Sequence, residues 1–199
     1  MPGAKKLIKF CAQPDLQDSL DDWRRWLITE RRTSEHTVNA YCRDIAKFLE
    51  FVQKHSTVTP SLSALADLTS SDFRSWLAAR LRDKLSRASV ARAMSALRNL
   101  FRFLDRTGRV HNQALSAVKV PKPLKSLPKP LNANDAIALL RRAAEIAPEP
   151  WIGARNVAIL SLLYGCGLRI DEALSLNQGD VPTGDTMIIN GKGNKQRIV

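Results

Sequence analysis

Arg169 and Lys192 are the residues best suited by type and setting to act on a phosphate. Arg169 follows the glycine-containing stretch Tyr164-Gly-Cys-Gly-Leu and precedes Ile-Asp-Glu-Ala-Leu, a short helix-forming run. Glu172, three residues on, falls on the same helical face and can hold the guanidinium in place. Lys192 sits in Gly191-Lys-Gly-Asn, a turn between two short β-forming runs, where a side chain is expected to be exposed. An arginine and a lysine converging on one point would stabilise charge on phosphate oxygens. The turn is not a P-loop, because the G-x-x-x-x-G-K-[ST] spacing is missing. Cys11, Cys42 and Cys166 are too few and too scattered for a zinc site or a disulfide framework. No metal or cofactor is expected.

A second set of cations lies earlier in the chain. At about 100° per residue, Arg87, Arg92, Arg98, Arg102 and Arg106 share an arc of about 140° on one helix, together with Ser95 and Asn99. Val90, Met94, Leu97, Leu100, Phe101 and Leu104 occupy the opposite face, and Phe103 is the one large apolar residue out of place. No acid occurs between Lys84 and Leu104, whereas a merely solvated face usually mixes Glu with Lys. Arginine forks suit phosphates and guanine edges, so this face is expected to bind nucleic acid. Thr37, Tyr41 and Arg43, near the start of another helix, are weaker candidates on the ground that helix N-termini attract phosphate.

These residues need positioning elements. Leu16, Leu20, Trp23 and Leu27 form one apolar stripe, with Asp15 expected as its N-cap. Val38, Tyr41, Ile45, Phe48 and Val52 form a second. Ser70 is expected to cap a third helix carrying Phe73, Trp76, Leu77 and Leu81. Ser86 or Ser89 starts the arginine helix, which Gly108 stops. Four helices with short connections give a mainly α bundle over residues 1–111. Residues 112–131 are rich in proline and lysine and read as an extended linker, in which Lys122 and Lys125 could follow a phosphate backbone. Residues 132–199 read as a second domain of helices ending in a small β-hairpin, with Tyr164 in its core.

Composition agrees with a polyanionic partner. Lys plus Arg number 31 against 19 Asp plus Glu, a net charge of +12 in 199 residues. The 44% hydrophobic content excludes a disordered polycation. The longest apolar run, residues 157–168, is short of a membrane span, and MPGAKKLIKF lacks the apolar stretch of a secretory signal. A cytoplasmic protein is expected, and an RNA-binding or ribosome-associated helical protein is the competing reading.

The run Gly167-Leu-Arg-Ile-Asp-Glu-Ala-Leu-Ser-Leu, then Asp180-Val and Gly191-Lys-Gly-Asn-Lys, resembles the tyrosine recombinase (phage integrase) family, and within it the bacterial Xer (XerC-type) site-specific recombinases. Ser34-Glu-His-Thr-Val-Asn-Ala-Tyr-Cys-Arg-Asp-Ile and Val90-Ala-Arg-Ala-Met-Ser-Ala-Leu-Arg-Asn-Leu-Phe extend the resemblance into the first domain. It implies a SAM-like four-helix core-binding domain, then the first part of an α+β catalytic domain. It implies a clamp around duplex DNA, strand cleavage through a 3′-phosphotyrosine and no metal. The assembly implied is a homo- or hetero-tetramer with a second recombinase on DNA. It places the chain in the bacterial cytoplasm, at the nucleoid, in chromosome dimer resolution. Arg169 matches the first catalytic arginine, Lys192 the hairpin lysine and Glu172 the acid that orients the arginine. Asp171 stands where the family often has Ser. The family's His-x-x-Arg pair and nucleophilic tyrosine are not found, since the histidines are His36, His55 and His111 and the tyrosines Tyr41 and Tyr164. The expectation is a chain truncated before those motifs and catalytically incomplete alone. The alternative is a DNA-binding-only module acting as competitor or architectural factor.

Overall fold

The computed structural model describes residues 8–120, 129–182, 184–191 and 195–199. They fall into two compact units divided near Lys125.

The first unit is built from α1 (Pro14–Thr29), α2 (Glu35–Ser56), α3 (Leu62–Ala66), α4 (Ser70–Arg82) and α5 (Arg87–Arg106). The expected stripes face inward: Leu16, Leu20, Trp23, Ile45, Phe48, Phe73, Trp76, Met94 and Leu97 are almost wholly buried in one core. Phe48 and Phe101 meet edge to face at 6.5 Å, and Phe73 lies edge-on to Phe101 at 5.4 Å. Phe103, out of register with the main stripe, is also buried, because α1 brings Trp26 to 5.4 Å from its ring. A helix packed by neighbours on two sides buries more than a single stripe.

Several local expectations change. Pro14 occupies the first turn of α1 and Gln13 the N-cap. Asp15 instead lies inside the helix, its carboxylate accepting the backbone N–H of Leu62 at 2.9 Å and so anchoring α3. α3 is too short to show a periodic stripe and sits between two expected helices. α4 is capped by Thr69 in a reciprocal box with Asp72, not by Ser70. The Ser70 hydroxyl is free to donate to the Ala114 carbonyl at 3.0 Å. Ser86 caps α5. Gly108, at φ +67°, turns the chain where a side chain would be strained.

Residues 112–118 are not a free tether. Asn112 donates to the carbonyls of Leu65, Ala66 and Leu68, a 3₁₀ turn spans Ala114–Ala117, and Leu115 and Val118 are buried in the first core. Lys122 and Lys125 lie outside the described residues.

The second unit contains α6 (Ala133–Glu145), α7 (Pro150–Gly165), α8 (Ile170–Leu174) and an antiparallel ribbon of β1 (Ile188–Gly191) and β2 (Lys195–Ile198). Its small core gathers Leu168, Ala173 and Ile189, with Leu162, Leu163 and Met187 partly buried around them. Tyr164, expected in the core, is 55% exposed at the end of α7. Helix α7 carries apolar residues on every side, so its pattern does not single out one buried face; among its described side chains the exposed ones include Trp151 and Tyr164.

Candidate nucleic-acid interface and phosphate site

The basic face of α5 divides by what each side chain already holds. Arg87, Ser95 and Arg102 are exposed. Arg87 and Arg102 make no hydrogen bond or ion pair with any described residue, while the Ser95 hydroxyl donates to the Ala91 carbonyl at 2.9 Å. Arg92 is committed elsewhere: its Nε and Nη2 donate to the two oxygens of Asp44 at 2.9 and 3.3 Å. Asp44, on α2, is only 4% exposed at its side chain, whereas Arg92 is 48% exposed. The buried acid therefore recruits an arginine that helical geometry alone assigns to the outer face. Arg98 is half-buried and donates to the Val118 carbonyl at 2.8 Å, pinning the segment after α5. Arg106 stacks over Trp26 at 4.9 Å. Asn99 accepts the indole N–H of buried Trp23 at 2.7 Å, so it supports the core.

On α2, Arg43 is exposed, Thr37 is half-buried with its hydroxyl 2.9 Å from that of Ser34, and Tyr41 packs against the core with one edge accessible. Arg98 and Arg102 also line an open cleft of about 390 Å³ whose far wall includes His111, Asn112 and Ser116. His111 Nδ1 lies 2.7 Å from Asp105 there.

The second unit assembles a tighter site. Gly167, at φ +61°, ends the turn after α7, and Arg169 then takes the N-cap position of α8. Glu172 Oε2 accepts the Arg169 backbone N–H at 2.8 Å, and Oε1 accepts Arg169 Nη1 at 2.9 Å. The Glu172 side chain is 6% exposed while the arginine side chain it holds is 71% exposed. Sequence spacing anticipates this pair. It does not anticipate Arg197 on β2, whose Nη1 and Nη2 donate to Glu172 Oε1 and Oε2 at 2.9 and 2.7 Å. The signal in the sequence was an arginine inside the short β-forming run Lys195 to Val199; in the structure it pairs across the ribbon with buried Ile189. The Arg197 fork, then the Arg169 N–H and guanidinium, hold the Glu172 carboxyl down at about 2. Gly191 backs the site: a Cβ there would stand 3.2 Å from Glu172 Oε1 and 3.3 Å from the Lys195 carbonyl. Lys192 lies outside the described residues. Among the described residues no cluster of His, Cys, Asp and Glu is placed to hold a metal ion, and no helix is long and apolar enough to cross a membrane.

Known proteins resemble the chain in both sequence and fold. Residues 20–108 match the phage integrase N-terminal SAM-like domain. The whole chain aligns with the tyrosine recombinase XerC of Rhodospirillum centenum at 45% identity over 200 residues, covering 59% of that protein. Over its whole length the chain is similar to tyrosine recombinases. The XerC of Brucella suis is 44% identical over 191 residues, 94% of this chain and 60% of that one. The chain thus spans about three-fifths of the length of the curated relatives it matches. Its fold is that of XerH bound to its difH substrate before cleavage (TM-score 0.61, 22% identity, 98% of this chain and 58% of that one). It is also that of a lambda integrase tetramer bound to a Holliday junction (TM-score 0.67, 19% identity, 92% and 48%).

Proposed function

We propose that this chain binds duplex DNA and handles the scissile phosphate in site-specific recombination of the Xer kind. The observation that carries the reading is Arg169: its backbone and one Nη are fixed by a buried, ionised Glu172, yet most of its side chain faces solvent. A cation held still and left accessible is suited to the non-bridging oxygens of a phosphodiester, where charge grows during attack. Lys192 would protonate the departing 5′-oxygen, the role its motif carries in the family. Arg43, Arg87 and Arg102, with Ser95 and the accessible edges of Thr37 and Tyr41, would carry the first unit's contacts to the duplex, and Lys122 and Lys125 would add backbone contacts.

The nucleophilic tyrosine is assigned to neither Tyr41, half-buried on α2, nor Tyr164 on α7. Assembly of four subunits on DNA, of this recombinase alone or with a second, and a place at the bacterial nucleoid in chromosome dimer resolution complete the proposal. The binding-only reading, a competitor or architectural factor, shares the first unit's contacts and dispenses with the phosphate site.

The test is a salt titration of binding to duplex DNA and to structured RNA, with an Arg169→Ala variant and a nicked duplex carrying a scissile phosphate. Preference for the duplex, and weaker binding of the nicked site by Arg169→Ala than by the parent, are expected. Equal binding of RNA would sink the DNA assignment. An unaltered nicked-site affinity would leave only the binding module.

A further inference from the structure

We propose that Arg197 is a positioning residue: it takes up the Glu172 carboxylate with both ends of its fork and thereby keeps the Arg169 guanidinium available to an anion. The inference rests on the reading of Arg169 as the phosphate-handling residue, and it concerns what keeps that residue free.

Glu172 has two oxygens with about four lone-pair directions between them. The structure fills all four: Oε1 accepts from Arg169 Nη1 and Arg197 Nη1, and Oε2 accepts from the Arg169 backbone and Arg197 Nη2. The two arginines share the acid unequally. Arg197 grips it fork on fork, the strong bidentate arrangement. Arg169 gives it one Nη. A guanidinium carries five N–H donors, so Arg169 keeps most of its donors for another acceptor.

Removal of Arg197 changes the balance. Glu172 would then face one guanidinium and could take it with both oxygens, cancelling its charge and turning its fork inward. With Arg197 present, two cations share one carboxylate and the trio keeps a net charge of +1. The geometry is built for this sharing. Arg197 stands opposite Ile189 in the ribbon, and Ile189 is 2% exposed, so this ribbon face is turned toward the unit's core. Gly191, on the same face, leaves the room that a Cβ would take at 3.2 Å from Glu172 Oε1 and 3.6 Å from Arg197 Nη1.

A residue that merely pins the ribbon to α8 would show the same distances, so the test must read through Glu172. The 199-residue chain is titrated with inorganic phosphate and followed by NMR at the backbone amides flanking Arg169, alongside the carboxyl carbon signal of Glu172. Variants are Arg169→Ala, Arg197→Ala, Arg197→Lys, Glu172→Gln and the Arg197→Ala/Glu172→Gln pair. A saturable response that disappears in Arg169→Ala is expected. Arg197→Ala should weaken it about two- to fivefold, the scale of an exposed charge interaction. Arg197→Lys, which keeps the charge and loses the fork, should fall between and also covers any failure of the alanine variant to fold. In the Glu172→Gln background the Arg197 substitution should have no further effect, because the anion being competed for is gone. The Glu172 carboxyl should titrate at higher pH in Arg197→Ala than in the parent. If Arg169→Ala leaves the phosphate response intact, the phosphate reading of Arg169 falls and the inference with it. If Arg169→Ala removes the response but Arg197→Ala matches the parent, or costs the same with and without Glu172, the inference alone is overturned.

Discussion

Substituting Arg92 by alanine separates structure from recognition on the α5 face. Helical geometry groups Arg92 with Arg87 and Arg102, yet only Arg92 is bound to a buried acid. Loss of one partner from a fully buried ion pair costs about 3–5 kcal/mol, because the other charge is stranded. Asp44 is buried but the Arg92 side chain is about half exposed, so solvent can partly replace it. The expected loss is about 1–3 kcal/mol after that discount. For a unit of this size this lowers Tm by roughly 4–24 °C, at about 4–8 °C per kcal/mol. Thermal unfolding by circular dichroism and a salt titration of duplex binding are measured on the same variants. Arg87→Ala and Arg102→Ala should leave Tm nearly unchanged and flatten the log K against log [salt] slope by about 0.9 each, one phosphate contact apiece. Arg92→Ala should do the reverse. Adding Asp44→Asn to Arg92→Ala should recover about half of the lost stability, since the stranded charge is then neutral. An Arg92→Ala variant with the parent's Tm and a slope flattened like that of Arg87→Ala would refute the division of the face.

Asn99→Ala leaves the buried Trp23 indole N–H without its acceptor and should cost about 1–3 kcal/mol, read by thermal unfolding, with no change in salt slope. The Glu172 carboxyl is held at about 2, below its ordinary value, so its contribution to stability is complete above about pH 4.5 and is lost as pH falls toward 2. Residue-resolved NMR of the second unit should show this acid sensitivity, and Glu172→Gln should remove it. Amides of α7, which borders a small core with Trp151 and Tyr164 exposed, should exchange faster than those of α5, which lies in the large core; equal protection would contradict the difference in burial.

Much of the first unit was legible because its helices are amphipathic and long. Leu16 to Leu27 and Val90 to Leu104 repeat at helical spacing, and the structure buries them. The cap of α4 was misplaced by one residue because Thr69 and Ser70 are both good caps, and only Asp72 three residues beyond Thr69 distinguishes them. The short α3 and the docked 112–118 segment carry no periodicity to read. Their positions follow from single polar side chains, Asp15 reaching Leu62 and Asn112 reaching three carbonyls.

The chemistry-bearing residues divide in the same way. The Arg169–Glu172 pair was legible because three residues along a helix fix a distance. The partners that change its meaning were not. Arg197 is 25 positions from Glu172, and Asp44 is 48 positions from Arg92. Angular counting places an arginine on a face but does not say which buried carboxylate can reach it from another element. In both units a carboxylate that is nearly inaccessible to water must be satisfied first, since an unpaired buried charge costs more than a surface contact returns. Asp44 takes Arg92, and Glu172 takes the fork of Arg197. Glu172 is shared by two arginines, so Arg169 gives it one Nη and keeps free donors; Asp44 has Arg92 alone, which turns both Nε and Nη2 to it. The donors available to a polyanion are therefore those left over after the buried acids are paired: the guanidinium groups of Arg87 and Arg102, and the Arg169 donors that Glu172 does not take, for reasons that helical periodicity does not contain.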